Sequence, residues 1–546
     1  MSKSYVKRGA FVVGGMLGAP VAAGVGLVAY VKYRTTTKPK EVSFRPLVSD
    51  DGSLVLKDLV IPPPTRWMII KRVAELVRIF LPIAFLYIFM CWNAKLHRQW
   101  MELLLSGVES AGAAFIKFGQ WSCTRKDIFS DDFREVFEKL YSEVKEHPIE
   151  ETLKIIEEDL KTAPENVFSK IEPSTCGSGS IGQVHIAYLK GSEERVVVKV
   201  MHPNVIATIS QDFWIINRCA RFFDKHFHSL ERFEVVKLAL AFTNHLAAQL
   251  DFRIEAEHLE IFRQHFEGLD YCEFPKPILS TMRVLVETYA KGEPATPDFL
   301  RKQEEHAREI LAGKGLNIFC KMLLRDNFLH GDMHPGNILI DVSDPHNPKV
   351  TMIDVGLCQK LTDIEGHTTF DLMSSFVHWD AKICVDTIWS MADVQRFSNH
   401  KQFTNDVSVM FEKYRPVTDS DDQVVSNILE SMFEVVRDNH VQMEPPYVSL
   451  LFAVLVLEGF IMNLDPNFNM VRHAAPWLVS EGHISPGLVR NIALGGIDRI
   501  TSSIGAARGR VRDYITGTND SEKHNTVADG SFKLEGITNE SIVLHK

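Results

Sequence analysis

The sequence has 546 residues, of which 45% are hydrophobic and 24% charged, a composition typical of a globular protein with two or three packed units. The formal net charge of −10 provides no overall basic field, which argues against a nucleic-acid-binding protein. The eight cysteines show no C-x-x-C spacing. This argues against a zinc site or a redox pair and favours reduced thiols packed as small hydrophobic side chains.

The first 40 residues contain lysines and arginines but no acidic residue. Within them, residues 9–31 form an uncharged, largely apolar stretch, long enough as a helix to cross the roughly 30 Å core of a bilayer. A mitochondrial import sequence, a membrane anchor and a secretory signal peptide are three interpretations of such a segment. We expect a mitochondrial targeting or membrane segment over residues 1–40.

Two further apolar runs come later in the chain. Residues 79–94 are rich in Phe, Leu and Ile but short for a membrane span, so a span and a buried or interfacial helix are both open. We therefore expect a linker and a second membrane-associated helix over 41–98. The run Tyr447–Leu457 leads directly into Glu458, which favours a buried core helix.

Helical periodicity dominates the rest of the chain, and a few strands interrupt it. Helices are predicted from about 66 to 145 and over 148–173, 204–225 and 231–266. Strands are predicted near 181–189, 195–201 and 283–290. From residue 297 onward the pattern is helical apart from one loop-rich segment, and the residues after about 505 are polar and typical of weakly ordered chain.

Residues 177–184 read G-S-G-S-I-G-Q-V, a literal G-x-G-x-x-G-x-V. Glycines at these positions allow backbone amides to approach phosphate oxygens closely. Alone, such a pattern is usually only a turn-rich loop, so its meaning depends on the residues that come after it in the chain. The candidate nucleotide-binding residues in it are Gly177, Ser178, Gly179, Ser180, Gly182 and Val184.

The predicted strand after this loop contains Lys199 within a run of valines, which places one ammonium group on an apolar strand. Further along, Asp251 and Glu255 are four residues apart in a helical pattern and share a face. Glu255 is the candidate partner of Lys199. The predicted strand over 283–290, which contains Glu287, would link a small lobe to a large one and bring its backbone to an adenine ring.

Residues 330–337 read H-G-D-M-H-P-G-N, and residues 352–356 read M-I-D-V-G. In kinase-type phosphoryl transfer, a loop aspartate orients or deprotonates the attacking hydroxyl or water, and an asparagine and a second aspartate hold Mg²⁺. Asp332 suits the first role, and Asn337 and Asp354 suit the second.

All these elements occur in the order and at the spacings that a kinase fold with bound ATP and Mg²⁺ requires. In this arrangement Lys199 would neutralise the α- and β-phosphates. A different interpretation makes His330, Asp332 and His334 metal ligands, but it leaves the asparagine and the D-V-G turn unexplained.

With these motifs, the chain resembles the AarF-domain / UbiB / ADCK group of atypical kinases, most closely its ADCK2-like subgroup. Members of that group carry a K-x-G-Q motif about 60 residues before the phosphate loop, and residues 117–120 read K-F-G-Q. The resemblance covers roughly residues 100–480. It implies that Lys117 and Gln120 cover the nucleotide site.

The chain departs from the family pattern at two points. The coenzyme Q-linked branch usually has an alanine-rich loop where this sequence has Gly177-Ser178-Gly179-Ser180, so the nucleotide preference of that branch does not carry over. The family also has an E-x-D motif that meets the K-x-G-Q lysine. Here Gln249 stands in the first position, so we expect a weaker contact with Lys117 than an ion pair.

The resulting fold prediction is α+β: a bilobal, protein-kinase-like fold with an N-terminal helical extension and one or two membrane-associated helices. The extension is expected over 99–170, the kinase domain over 171–480 and a helical and weakly ordered tail over 481–546.

The family resemblance implies an ATPase or small-molecule or lipid kinase at the mitochondrial membrane, with the inner membrane expected, and a role in coenzyme Q or lipid metabolism. Its partners would be ATP, a membrane lipid or quinone-related molecule, and the mitochondrial membrane, with no nucleic acid. No A-P-E peptide-docking sequence comes after Gly356, which argues against protein substrates. A protein serine/threonine kinase, a small-molecule kinase of the aminoglycoside or choline kinase type, and a nucleotide-binding scaffold with little turnover are the alternatives.

Overall fold

The computed structural model describes residues 54–477, with gaps at 57–58, 62, 91–92, 126–128, 130, 142–145, 193, 227–234, 379, 393–398, 415–423, 442, 467, 469, 471–472 and 475–476. The expected targeting segment over 1–40 and the expected weakly ordered tail lie outside the described residues.

The described helices are numbered here in chain order. The N-terminal ones are α1 (Arg66–Met90), α2 (Ala94–Ala111), α3 (Ala113–Thr124), α4 (Asp131–Phe137), α5 (Ile149–Leu160) and α6 (Pro164–Val167). The next are α7 (Val205–His226), α8 (Val235–Ala248) and α9 (Phe252–His265). The remaining ones are α10 (Pro297–Arg301), α11 (Glu305–Cys320), α12 (Asp363–His378), α13 (Ala381–Ser390), α14 (His400–Tyr414), α15 (Val424–Asp438) and α16 (Pro445–Leu464).

The strands form four sheets, whose members are also numbered in chain order. A short hairpin pairs β1 (Leu54–Leu56) with β2 (Leu59–Ile61). The largest sheet contains β3 (Phe168–Ser178), β4 (Gly182–Leu189), β5 (Arg195–Met201), β6 (Pro277–Ser280) and β7 (Val284–Thr288). The two others contain β8 (Glu293–Pro294), β9 (Phe328–His330), β10 (Ile338–Asp341), β11 (Lys349–Met352) and β12 (Cys358–Lys360).

The small lobe is built on the five-stranded antiparallel sheet, in the order β3-β4-β5-β7-β6. Val196, Val198 and Val200 alternate along β5 and are fully buried, and they pack with Ile155 and Ile156 of α5. This period-2 burial leaves Lys199 on the opposite face of the strand, toward α9. The strands predicted near 181–189 and 195–201 are thus confirmed.

The large lobe is mostly helical, and its core is continuous with the face of the small lobe that carries α7 to α9. Within it, β9 pairs with β12, and β10 pairs with β11 and β8. These short hairpins present the catalytic segment. The prediction of a buried core helix at 447–457 is confirmed, since α16 buries Val448, Leu451 and Ile461.

Two helix predictions are wrong in their boundaries. The helix predicted over 148–173 ends at Leu160, and residues from Phe168 form β3. The edge position and irregular register of β3 accommodate Pro173, because a proline cannot donate to an inner ladder. The helix predicted over 231–266 is broken between α8 and α9, where the Asp251 side chain caps the new helix by accepting from the Arg253 amide at 3.0 Å.

Helix α1 is longer than the apolar run that predicted it. Among the described residues it is the one helix long and apolar enough to cross a membrane, judged by length and composition. Most of its apolar side chains are exposed, including Trp67, Leu81 and Phe89. Its inner face is held to the domain, since Arg72 pairs with Asp212 of α7 at 2.7 Å and both side chains are buried.

Candidate active site

The glycine-rich loop joins β3 to β4 and closes with a hydrogen bond from the Gly179 amide to the Gly182 carbonyl, at 2.9 Å. Gly182 is required by packing, because a Cβ there would lie 2.5 Å from the Val200 carbonyl oxygen. A Cβ on Gly177 would meet nothing within 4 Å, so the space above the loop is open to a ligand. The hydroxyls of Ser178 and Ser180 are buried and have no hydrogen-bond partner among the described residues.

A chain of side chains supports this loop from behind. His202 Nε2 lies 2.8 Å from the Gly179 carbonyl oxygen, and His202 Nδ1 lies 2.7 Å from His147 Nδ1. The other nitrogen of His147 meets the Thr152 hydroxyl at 2.9 Å. Gln183 in β4 completes the link, since its amide group exchanges two hydrogen bonds with the His147 backbone. The loop is thereby tied to the segment leading into α5.

Lys199 lies among three carboxylates. It forms a short ion pair with Glu255 of α9 and a second one with Glu287 of β7, at 3.3 Å. The predicted pairing of Lys199 with Glu255 is therefore present in the structure. Burial favours neutral Lys199, but the surrounding carboxylates outweigh it and raise the pKa of the lysine.

Glu287 contributes its side chain to this cluster. The sequence prediction placed it on a strand whose backbone meets adenine, but its backbone is paired with Val197 on one side and Pro277 on the other. One carboxylate oxygen of Glu287 is buried and has no hydrogen-bond partner among the described residues. A signal for this role was present in the sequence, since an acidic residue inside the apolar run 284–288 needs a buried partner.

The catalytic loop is fixed by His330. The ring of His330 is buried and uses both nitrogens: Nε2 lies 3.1 Å from the Ile353 carbonyl oxygen, and Nδ1 accepts from the Asp332 amide at 3.1 Å. Because both ring nitrogens are occupied, His330 is not available as a metal ligand. No cluster of potential His, Cys, Asp and Glu metal ligands is found among the described residues, so the alternative metal site at 330–334 gains no support.

Asn337 is held beside this loop by a bond from its side-chain nitrogen to the Asp332 carbonyl, at 3.0 Å. Its side-chain oxygen makes no hydrogen bond within the described part of the chain, which leaves that oxygen for a cation. Asp354 comes after β11 in a left-handed conformation, with φ of 55°. A non-glycine residue in this region is strained, and such strain is often found at functional sites.

Helix α9 also supports the Asp354 turn. His258, three residues after Glu255 on the same helix, lies with Nδ1 2.8 Å from the Val355 carbonyl oxygen. Sequence reasoning missed His258, because nothing local distinguishes it from any other helical histidine. Burial opposes ionisation of Asp354, but Lys199 and Lys117 outweigh burial and lower the pKa of its carboxyl group. Lys117 thus lies close enough to Asp354 to affect it electrostatically.

Helix α3 carries the K-x-G-Q residues over this site. The Gln120 side chain donates to the Leu140 carbonyl at 2.7 Å, which fastens α3 to the short helix directly after α4. Gly119 is needed there, because a Cβ would lie 2.3 Å from Leu140 Cδ1. Lys117 and Gln120 both line a cleft that also contains Asp332. Both residues therefore lie at the cleft beside Asp332, and their role in covering and binding the nucleotide stays a prediction.

The residues of the altered E-x-D motif do not pair with Lys117. Gln249 lines the same cleft as Lys117 without a hydrogen bond to it among the described residues. Asp251 is buried and accepts from the Arg253 guanidinium at 2.7 and 2.8 Å. The expected contact of Lys117 with Gln249 is therefore not a hydrogen bond in the described part of the chain, and the carboxylate of Asp251 is paired with Arg253 instead.

The donor set fits Mg·ATP. Glu255, Glu287 and Asp354 surround one lysine, so the centre carries excess negative charge that a divalent cation would balance. Burial and neighbouring carboxylates raise the pKa of Glu255 while no cation is bound. Within the described part of the chain, unpaired oxygens on Asn337 and Asp354 and the unpartnered serine hydroxyls of the loop offer contacts for a metal ion and for phosphates.

Known proteins that resemble this chain agree with the kinase-type arrangement of the site. Residues 139–388 match the model of the ABC1 atypical kinase-like domain. A probable protein kinase UbiB of Pseudomonas paraeruginosa is 30% identical over 377 residues, which is 68% of this chain and 70% of that protein.

Two eukaryotic proteins are also similar. A probable serine/threonine-protein kinase, abkC, of Dictyostelium discoideum is 28% identical over 479 residues, covering 75% of this chain and 69% of that protein. A mitochondrial ABC1 family protein of Saccharomyces cerevisiae is 26% identical over 490 residues, covering 76% of this chain and 74% of its own. The predicted mixed α+β, kinase-like fold is confirmed, and the chain belongs to the UbiB/ABC1 family of atypical kinases.

Proposed function

We propose that this protein is a Mg·ATP-dependent ATPase or small-molecule or lipid phosphotransferase at the mitochondrial membrane, with a role in coenzyme Q or lipid metabolism. The observation that carries the proposal is the position of Lys199, which is buried with Glu255 and Glu287 beneath a loop with unpaired serine hydroxyls. A nucleotide-binding scaffold would not need the complete set of catalytic groups. Membership of the ADCK2-like subgroup is part of the same proposal.

Each residue has a definite task in this mechanism. Glu255 orients Lys199 toward the α- and β-phosphates, and the glycine-rich loop provides backbone amides and serine hydroxyls for phosphate oxygens. Asn337 and Asp354 would hold Mg²⁺, which neutralises phosphate charge when bound. Asp332, whose carboxylate makes no hydrogen bond within the described residues, receives the proton of the attacking hydroxyl or water.

Helix α3 supports a small acceptor rather than a peptide. Lys117 and Gln120 line the cleft next to Asp332, on the side from which an acceptor would approach. The Dictyostelium relative is described as a probable serine/threonine-protein kinase, which makes protein phosphorylation the second candidate. A peptide acceptor would require α3 to move away from Asp332.

Membrane association is proposed from α1. Its exposed apolar side chains, among them Trp67, Ile70, Leu81 and Phe85, form a surface suited to lipid. The yeast relative is described as mitochondrial, and the acid-poor N-terminal segment is compatible with the same destination for this chain.

The test uses the full-length protein in lipid nanodiscs. We expect Mg-dependent ATP binding and turnover, and loss of turnover by at least about 100-fold in Asp354→Asn, since a metal-binding carboxylate is removed. Asp371→Asn, an exposed carboxylate on α12, is the matched control and should keep full turnover. Binding without turnover under every lipid condition would support the scaffold instead, and phosphate transfer to a generic serine peptide would support the protein kinase.

A further inference from the structure

Helix α1 is long and apolar enough to cross a membrane, and its packing decides whether it can do so. It runs antiparallel to α2. Near its start the Arg72 guanidinium donates to the Ala111 carbonyl at the end of α2, and near its end Tyr87 contacts His97 at the start of α2, with ring centres 6.4 Å apart. At about 1.5 Å per residue, the two helices therefore lie side by side over roughly 22 Å.

The contact between α1 and α2 is close along this length. The Trp100 indole N–H donates to the Ile83 carbonyl at 2.8 Å, which ties α2 to the backbone of α1. A Cβ on Gly107 of α2 would lie 2.6 Å from Ile83 Cδ1, so the glycine lets the two helices approach. Closer to its start, α1 is fixed to α7 by the buried pair of Arg72 and Asp212. Helix α1 is therefore part of the folded domain and does not project from it.

Helix α2 is unsuited to accompany α1 through a bilayer. Its exposed side chains include Lys95, Arg98, Glu102 and Glu109, which recur along one side of the helix. Arg98 pairs with Glu135 of α4 at 2.7 Å, and about half of each side chain is open to solvent. Because the two helices lie side by side, an α1 that crossed the bilayer would bring most of these charges into the hydrocarbon core, where charged side chains are rarely tolerated.

The outer face of α1 is apolar from end to end. Ile70, Val77, Leu81 and Ile88 lie on one line along the helix, and each is at least 49% exposed. The line is roughly 27 Å long and runs parallel to the helix axis, on the side away from the domain. Trp67, at the start of the helix, is 80% exposed, and tryptophan favours the boundary between lipid and water. This outer stripe fits a surface that is flat and apolar along its whole length.

Basic side chains border the outer stripe. Lys71 and Arg78 are seven residues apart and lie along one edge of it, both exposed and without an acidic partner in the described part of the chain. Glu75, on the same side, is paired with Arg72. Lysine and arginine at such a border reach the phosphate groups of lipids while their aliphatic stems stay among apolar side chains. The outer stripe and its cations together therefore match the surface of a lipid bilayer.

We propose that α1 lies in the plane of the membrane surface, with its outer stripe among the headgroups of one leaflet, and does not cross the bilayer. This inference rests on the membrane association proposed above and specifies its geometry. Phe80 of α1 also contacts Phe115 of α3, with ring centres 5.5 Å apart. The helix that carries Lys117 is thereby joined to the helix that faces the membrane.

The experiment measures the depth of the outer stripe in the full-length protein bound to vesicles of phosphatidylcholine and phosphatidylglycerol. The ketone-bearing amino acid p-acetylphenylalanine replaces Ile70, Val77, Leu81 or Ile88, one at a time, and carries a nitroxide label that leaves the cysteines unmodified. Electron paramagnetic resonance compares collisions of each label with oxygen, which enters lipid, and with a nickel chelate, which stays in water. A label at Glu157, exposed on α5, is the control for a position that faces water.

We expect all the stripe labels to lie about 5–10 Å below the headgroup surface and within about 5 Å of one another, because the helix axis is parallel to the membrane. A crossing helix would instead place Leu81 near the bilayer centre and Ile70 roughly 16 Å away from it along the axis, toward one surface. A depth profile of that kind would overturn the proposal. Labels open to the nickel chelate at every position would also overturn it, as would labels shielded from both reagents, which would indicate a protein partner or a second copy on this face.

Vesicle flotation of the same samples tests the proposed membrane association by itself. Protein that does not float refutes both that association and the inference, whereas protein that floats with a crossing or shielded α1 refutes the inference alone. The depth values report α1 itself, so they are independent of anchoring by residues 9–31 and of ATP turnover. Agreement among positions that were already exposed, each verified by circular dichroism, excludes a result caused by one misfolded variant.

Discussion

The imidazole rings of His147 and His202 meet through their Nδ1 atoms at 2.7 Å, and this contact joins the N-terminal extension to the glycine-rich loop. The neighbouring groups fix the proton positions. His202 Nε2 must carry hydrogen, because it faces the Gly179 carbonyl oxygen, which can only accept. In neutral His202 the Nδ1 atom is then an acceptor, so His147 Nδ1 donates to it, and His147 Nε2 accepts from the Thr152 hydroxyl.

Acid should weaken this arrangement. Burial, with His202 and His185 nearby, lowers the pKa of His147 to about 4, whereas an unfolded histidine titrates near 6.5. Between about pH 4 and 6.5 the unfolded state therefore binds more protons at His147 than the folded state does. The contribution of neutral His147 to the free energy of unfolding is complete above about pH 6.5 and is lost as the pH falls toward 4. His147 is only partly buried, so we expect a loss on the order of 1–2 kcal/mol over this interval.

His147→Gln tests the point, since glutamine keeps a donor and an acceptor but does not titrate. Chemical denaturation at pH 7.5, 6.0 and 5.0 should show a shallower pH dependence in this variant than in the unmodified protein. His226→Gln, an exposed change, should leave the dependence unaltered. Identical slopes in His147→Gln and the unmodified protein would refute the assignment.

Lys199 should matter for folding as well as for nucleotide binding. Lys199→Met leaves Glu255 and Glu287 buried without their cation, and removing one partner of a buried ion pair destabilises by about 3–5 kcal/mol. The carboxylates of the variant would take up protons more readily than in the unfolded chain. Its stability should therefore recover as the pH is lowered from 8 to 6, and it should also recover on addition of Mg²⁺.

The control for this prediction is Lys349→Met. Lys349 pairs with Glu273 at 3.0 Å on the surface, with about half of each side chain exposed. Exposed ion pairs of this kind contribute little to the free energy of unfolding, so the melting temperature of Lys349→Met should hardly differ from that of the unmodified protein. A Lys199→Met protein as stable at pH 8 as the control would show that the cluster does not need the ammonium group.

Gly119 should not tolerate a methyl group. In Gly119→Ala the new Cβ would lie 2.3 Å from Leu140 Cδ1 and 3.2 Å from Phe137 Cδ1, so these buried side chains or α3 must shift, at about 1–3 kcal/mol. Because α3 carries Lys117, turnover should fall along with stability. Calorimetric melting and ATP hydrolysis on the same preparation measure both effects.

Gly313→Ala is the matched control for Gly119→Ala. This glycine is also helical, but a Cβ there meets nothing within 4 Å. Alanine is the better helix former, so this variant should be more stable by about 0.5–1 kcal/mol, with turnover preserved. If Gly119→Ala also stabilised the protein, the close packing of α3 against Leu140 would be wrong.

The ion pair of Arg72 and Asp212 should hold α1 to the small lobe. Arg72→Met leaves a fully buried Asp212 without its partner, and we expect a loss of about 3–5 kcal/mol in the free energy of unfolding. Hydrogen exchange should show increased opening of α1 and of the facing part of α7. Arg98→Met removes an exposed pair with Glu135 and should leave both measurements unchanged.

Much of the site could be predicted from the sequence because it is encoded locally. Kinase chemistry needs a glycine-rich loop, a strand lysine, a helix glutamate and two loop carboxylates in a set order, and local patterns identify each. Strands β4 and β5 were predictable for the same reason, since their valine-rich alternation is a short-range signal. The end of α5 was not predictable, because the bulged edge strand β3 depends on its pairing with β4. The start of α9 was missed although its cap is local, because the helical periodicity continues through Asp251.

The sequence by itself determined the set of kinase-type motifs in this chain and the family to which the chain belongs. Only the tertiary structure decided how their charges are paired: Glu287 shares Lys199 with Glu255, and Asp251 pairs with Arg253. The pairing of Glu287 with Lys199 joins residues far apart in the chain. Burial and charge in a shared space select this pairing, and neither quantity exists until the strands and helices of the site have packed.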